Sequence, residues 1–292
     1  MNAVRMAMER LLSLESATTH PRSRTVPVAG LALHMLEAGS GPPLLMLHGG
    51  GGGGANWYRL FPGLSASARL IAPDLPGFGL SPDMAVRPPL GNQAAEVLAG
   101  LLDALALPRV SVLGTSFGGL AGLRLAQHFP ERVERLVLLD SAGLGRAVSW
   151  VVRLGSRNLV APWALRPGEQ GTRLLLRGLL TSSRLPPEHE RALVVWLTEV
   201  GRAHSWGALR RFAGWRGQYE VVGARELRTL RLPVLVLWGE CDRFFPVAQA
   251  RLTVGNLADG RFHVLKGAGH SPNWECPEAV LVQVRRFLAE QH

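Results

Sequence analysis

The chain has 292 residues, 47% hydrophobic and 18% charged, which suits one large or two unequal globular domains and excludes disorder, collagen and a disulfide-stapled miniprotein. Its net charge of +10 is built from arginine, since Lys266 is the only lysine, and fifteen arginines against six glutamates lie between Arg146 and Arg231. One segment is basic and the rest nearly neutral; neither a basic tail nor an aromatic RNA-binding motif accompanies it, so nucleic acid is not an expected partner.

In chain order, Met1 to Leu14 has apolar residues at helical spacing, interrupted by Arg5, Glu9 and Arg10, and lacks the cleavage site of a signal peptide. No later run reaches the ~18 to 20 apolar residues a membrane span needs, so a soluble, cytoplasmic protein is expected. Thr25 to Val28 and Leu31 to Glu37 read as a hairpin turning at Ala29 and Gly30. Leu44 to Leu47, Leu70 to Pro73, Val110 to Gly114 and Val133 to Leu139 are continuous apolar runs, most of them followed by a helical pattern. Such runs mark strands covered on both faces, and their alternation with helices marks parallel crossovers.

The helix after Gly114 carries Gly118, Gly119 and Gly122, each about 1 kcal/mol worse than alanine there, which implies close approach of helix backbone to sheet. From Gly145 to about Leu230 the alternation is lost. This stretch reads as helical, holds Trp150, Trp163, Trp196, Trp206 and Trp215, and is broken at Pro162, Pro167, Pro186 and Pro187. Val234 to Trp238 resumes the strand pattern, followed by a helix over Val247 to Leu257, a strand over Arg261 to Leu265 and a helix over Pro277 to Ala289. The expected organisation is a helical extension at 1–22, an α/β core at 23–144 and 231–292, and a helical lid at 145–230.

Gly114-Thr115-Ser116-Phe117-Gly118 is a Gly-x-Ser-x-Gly motif at the junction of a buried strand and a glycine-rich helix. A nucleophile elbow belongs at that junction, because its serine takes strained backbone angles and large neighbours would collide; a tight turn with a capping serine is the bland reading. A serine hydroxyl needs a base, and the base needs a group that orients it. Asp242, after the strand ending at Trp238, and His270, after the strand ending at Leu265, supply both at the carboxyl ends of strands, where sites in parallel sheets collect. Asp140, ending the strand after the nucleophile helix, is the alternative acid. His48 and the run Gly49 to Gly54 follow the first parallel strand, and bare glycine backbone suits an oxyanion hole. Gly50 or Gly51, together with Phe117, are the candidate N–H donors.

His48, Trp150, Trp196, Trp215 and Ser271 are candidates for the substrate pocket, the tryptophans as an apolar wall above Ser116. The arginine excess would steer an anionic substrate toward the cleft, touch an anionic membrane surface, or serve only as a solvated face. Cys241 and Cys276 form neither a disulfide framework nor a zinc spacing and read as reduced thiols. Two other classes stay open: a nucleotide-binding α/β protein, with Asp74 following the glycines, and a hydrolase-like fold kept for binding alone.

Taken together, His48-Gly49, the segment DLPGFGLS from Asp74 to Ser81, GTSFG around Ser116, GECDRFFP around Asp242 and GAGHSPNWECPE around His270 resemble the α/β-hydrolase superfamily, in its lidded branch of serine esterases and C–C bond hydrolases. The resemblance implies a mostly parallel eight-stranded sheet flanked by helices, with an inserted helical lid. It also implies a triad of Ser116, Asp242 and His270, no metal or organic cofactor, and a small-molecule ester or diketone substrate. Haloalkane dehalogenases and epoxide hydrolases of this fold carry aspartate where Ser116 stands, so neither activity is expected. The glycine run is similar to that of C–C hydrolases, but Thr115 and Ser271 stand where those enzymes tend to have asparagine and tryptophan. Ester hydrolysis is the primary expectation and C–C hydrolysis the alternative.

Overall fold

The computed structural model describes residues 2–15, 19–85, 87–150, 153, 168–182, 185–204, 213–214 and 217–290. The first element, α1 (Asn2–Ser13), buries Val4, Ala7, Met8 and Leu11, a stripe at helical spacing. The hairpin follows as β1 (Arg22–Val28) and β2 (Leu31–Ala38), with both turn residues in the left-handed region, Ala29 at φ 50° and Gly30 at φ 81°. Next come β3 (Pro43–Leu47), α2 (Phe61–Ser65), β4 (Arg69–Pro73), α3 (Leu90–Ala104), β5 (Val110–Thr115), α4 (Phe117–His128) and β6 (Val133–Leu139).

Between β6 and the next strand of the main sheet lie α5 (Glu169–Leu175), a π-helical turn (Leu176–Leu180), α6 (Pro187–His204), the short antiparallel pair β7 (Ala213–Gly214) and β8 (Gly217–Gln218), and α7 (Ala224–Leu227). The described part of this segment is thus helical except for one small β pair. Trp163, Trp206 and Trp215 lie outside the described residues. The chain then returns to the sheet as β9 (Val234–Gly239), α8 (Val247–Val254), β10 (Gly260–Leu265), α9 (Pro272–Glu275) and α10 (Pro277–Ala289).

Eight strands form one sheet in the order β1-β2-β4-β3-β5-β6-β9-β10. β1, β2 and β4 pair antiparallel; every pairing from β4 through β10 is parallel. β9 is buried along its whole length, and β3, β5 and β6 nearly so, as their uninterrupted apolar runs require. Alternate residues feed two cores. Leu47, Val112, Leu136, Leu138 and Val236 share one with α3 and α4, while Met46, Leu113, Val137, Leu139, Leu235 and Leu237 share the other with α1, α6 and α10. Helix α1 packs directly on α6, which joins the N-terminal helix to the inserted segment.

The register places the site. Leu47 pairs with Gly114, Thr115 with Leu139, Leu139 with Leu237 and Gly239 with Leu265, so these strands end side by side at one edge. From β3 the chain winds outward to β4 on one side and resumes at β5 on the other. That reversal opens a crevice at the carboxyl ends of β3 and β5, where ligands bind in open α/β sheets.

Candidate active site

Ser116 follows β5 directly and precedes α4 with φ 51° and ψ −119°, outside the regions that non-glycine residues favour. Such a residue stores about 1–3 kcal/mol of strain and persists only where its surroundings over-determine it. The surroundings here are specific. Ser116 N–H donates to Leu139 O at 3.1 Å, and its carbonyl accepts from Gly119 at 3.0 Å and from Ala142 at 2.9 Å. Both flanking glycines are forced by contact, since a Cβ on Gly114 would stand 2.4 Å from Gly118 O and a Cβ on Gly118 2.1 Å from Leu47 O. The glycines of α4 therefore serve close approach of helix and sheet.

His270 Nε2 lies 3.1 Å from Ser116 Oγ, and His270 Nδ1 lies 3.0 Å from Asp242 Oδ2. A carboxylate only accepts, so Nδ1 carries the hydrogen and Nε2 is left to accept from the serine hydroxyl. Asp242 is fixed by its own loop, its Oδ1 accepting from Phe244 N–H at 2.7 Å and Phe245 N–H at 3.0 Å. Phe244 stacks on the imidazole at 4.8 Å between centroids and 20° between planes, and Phe245 meets it edge-on at 5.1 Å. The two loops are stitched together: Glu240 N–H bonds Leu265 O at 3.0 Å and Cys241 N–H bonds Ala268 O at 2.8 Å. A Cβ at Gly239 would stand 2.0 Å from Gly269 O, so glycine is required at that crossing.

Asp140, the other acid considered from sequence, ends β6 beside this chain and is wholly buried, but His270 Nδ1 is directed to Asp242. Burial and the neighbouring Asp242 hold the Asp140 carboxyl well above the usual carboxylate range. Cys241 and Cys276 are free thiols.

The glycine run borders the serine. Gly49 is so near that a Cβ there would lie 3.1 Å from Ser116 Cβ, and Gly51 turns at φ 88°. His48 is fully buried beneath the run, with Nδ1–H donating to Gly49 O at 2.7 Å and Nε2 accepting from Leu75 N–H at 2.9 Å. Both nitrogens are committed within the protein, and burial pushes its pKa down, which keeps the ring neutral. The far end of the run is tied to Asp74, whose Oδ1 accepts from Gly54 N–H at 2.6 Å while Oδ2 accepts from Leu80 N–H at 2.7 Å and meets His34 Nδ1 at 2.7 Å. Asp74 thus anchors the loop from below.

The remaining candidates are spread out. Trp150 is 74% exposed, Ser271 is a buried cap of α9, and Trp215 lies outside the described residues. Trp196 is buried in α6 and donates its indole N–H to Asn56 Oδ1 at 2.8 Å. Three residues here escaped sequence reasoning. Asn56 joins the glycine loop to α6 through Trp196 and to α9 by accepting from Asn273 Nδ2 at 3.0 Å and Trp274 Nε1 at 2.9 Å. Glu275 accepts from Gly269 N–H at 2.8 Å and from Ser182 N–H at 2.8 Å, linking the histidine loop to the inserted segment. Phe244 is the third. The only signal for Glu275 and Phe244 was their closeness in sequence to His270 and Asp242.

An open, mostly parallel sheet carrying a serine on a strained strand-to-helix turn, with an acid and a histidine on later strand ends, defines the class of α/β enzymes built around a nucleophile elbow. Residues 44–284 match the model of the alpha/beta hydrolase family, and the chain belongs to that family. It is 32% identical over 277 residues to a 2-hydroxymuconate semialdehyde hydrolase of Pseudomonas sp. (strain CF600), covering 91% of this chain and 94% of that one. It is 28% identical over 296 residues to a 2-hydroxy-6-oxo-6-phenylhexa-2,4-dienoate hydrolase of Burkholderia cepacia, covering 94% and 98%. Among solved structures, a carboxylesterase of Bacillus subtilis superposes with a TM-score of 0.80 at 24% identity, covering 100% of each chain, a likeness of fold.

Proposed function

We propose that the protein is a serine hydrolase of carboxylic esters. The observation that carries this reading is the unbroken chain from Asp242 through His270 to the Ser116 hydroxyl, ending on a strained turn beside bare glycine backbone. His270 Nε2 takes the hydroxyl proton as Oγ attacks the acyl carbon, and Asp242 stabilises the imidazolium that results. Phe117 N–H, at the start of α4, and the N–H of Gly50 or Gly51 hold the oxyanion. His270 then gives its proton to the departing alcohol, and water, deprotonated by the same nitrogen, releases the acid from the acyl-enzyme. No metal or organic cofactor enters these steps.

In the same reading residues 145–230 act as a lid over the crevice, 23–144 and 231–292 as the catalytic core, and 1–22 as an extension braced on the lid. The substrate is a small molecule, with the arginines of the lid favouring an anionic one. No helix among the described residues is long and apolar enough to cross a membrane, and a cytoplasmic enzyme is the location proposed.

A second reading has its own support. The two relatives above are named as hydrolases of 2-hydroxy-6-oxo-6-phenylhexa-2,4-dienoate and of 2-hydroxymuconate semialdehyde, which supports C–C bond hydrolysis of a vinylogous diketone as the alternative reaction for the same triad. A panel of aryl esters of increasing acyl length, run beside such a diketone, separates the two. Turnover of short aryl esters well above that of the diketone is expected; turnover of the diketone alone would replace ester hydrolysis by C–C hydrolysis.

A further inference from the structure

Asp140 and Asp242 end neighbouring parallel strands, and one ligand atom from each, with one from His270, all lie within 4.8 Å of one another. Two carboxylates so close in a dry site do not both ionise. The hydrogen bonds show which one carries the proton. Asp242 accepts three N–H groups, from Phe244, Phe245 and His270, an environment suited to an anion. Asp140 accepts one, from Gly239 at 2.8 Å on Oδ1, and among the described residues its buried Oδ2 has no hydrogen-bond donor. The further ionisable groups facing Asp140 do not neutralise a second charge: Glu275 is another acid, and the Cys276 thiol is raised by burial to about 11. Asp140 is also held at φ 45°, with its own N–H on Leu237 O at 3.0 Å, so the backbone fixes where its side chain leaves the strand.

We propose that Asp140 is the proton-bearing member of this pair, its carboxyl O–H donating to the Asp242 carboxylate as a positioning residue behind the triad. The proton has two effects. It orients Asp242 so that Oδ2 faces His270, and it limits the site to one negative charge opposite the imidazolium. This role rests on the triad proposed above and adds a fourth member that touches neither substrate nor the reacting atoms.

The test compares Asp140→Asn and Asp140→Ala with the wild type. Asparagine reproduces the neutral acid, its carbonyl accepting from Gly239 and its NH2 donating to Asp242. It should keep kcat/KM close to wild type with the acid limb of the pH profile unmoved. Alanine should lower kcat about 10- to 100-fold with little change in KM, as misplacement of a catalytic group does. Infrared difference spectra of wild type minus Asp140→Asn at neutral pH should show the carbonyl stretch of a protonated carboxylic acid, a readout that stands even where Asp140→Ala fails to fold. An acid limb displaced to lower pH in Asp140→Asn, or no protonated-acid band, would mean that Asp140 carries a charge and overturns the proposal. Wild-type kinetics in a folded Asp140→Ala would overturn it as well. Full activity in Ser116→Ala or Asp242→Asn would instead remove the triad itself, a failure distinct from either.

Discussion

At the scale of single residues, the site works because groups that would titrate or rotate freely in water are held in one state. His48 is a case that stability measurements reach directly. Its folded pKa is depressed by burial, so as pH falls below the ordinary histidine value of ~6.5 the unfolded chain takes up a proton that the folded chain refuses. Protons bound are then greater in the unfolded state, and stability falls with acid by up to about 1.4 kcal/mol per pH unit from this group. His48→Asn, which keeps an acceptor near Leu75 N–H without titrating, should show a shallower loss between pH 7 and 5 by chemical denaturation. An unchanged slope would mean that the ring protonates in place. Asp140 has the opposite sign. Its folded pKa is raised, the folded state holds the extra proton, and its contribution is lost as pH rises above the unfolded value of ~3.9. Asp140→Asn should therefore gain stability relative to wild type between pH 4 and 7, whereas a gap that stays constant with pH would contradict a raised pKa.

At the scale of elements, the proposed catalytic groups are placed by strand ends and the links between them. Glu275 is the most exposed to test, because its carboxylate joins α9, the backbone one residue before His270 and Ser182 of the inserted segment. Glu275→Ala leaves both N–H groups unmatched and should lower kcat about 10- to 100-fold through displacement of the imidazole. Glu275→Gln, whose single carbonyl satisfies one of the two, should recover part of it. Equal kcat in all three proteins would remove Glu275 from the positioning of His270. Links of this kind were not legible in the sequence. The strands were, because β3, β5, β6 and β9 are uninterrupted apolar runs, and the hairpin was, because Ala29 and Gly30 mark its turn. The short helix α9 was missed, since four residues carry no readable period. Helix α8 ends at Val254, short of the Leu257 that apolar character suggested: Gly255 follows it, and Leu257 packs on the core from the connection to β10.

At the scale of the whole molecule, the arrangement follows from one reversal in strand order. It opens the crevice between β3 and β5, while parallel pairing brings the carboxyl ends of six strands, β4 through β10 in sheet order, to one edge. The positions of Ser116, Asp242 and His270 were readable because each follows an apolar strand, and a parallel sheet sends all such ends to the same edge. Asp242 was preferred to Asp140 from the sequence, although both follow strands that end on the same side; the structure places the imidazole against Asp242. The lining of the pocket was least legible. It depends on how the inserted segment packs: Trp196, expected as part of an apolar wall, is buried with its indole N–H on Asn56 and its ring against Gly53 of the glycine run.

In the proposed reaction Ser116 forms a covalent acyl intermediate after His270 removes its proton. The most direct measurement is intact-protein and peptide mass spectrometry after reaction with a fluorophosphonate and, separately, with a slowly hydrolysed aryl ester. One adduct per chain on Ser116 is expected with each reagent, absent in Ser116→Ala and formed at least about 10³-fold more slowly in His270→Ala. No adduct on Ser116, or ester turnover undiminished in Ser116→Ala, would contradict the account.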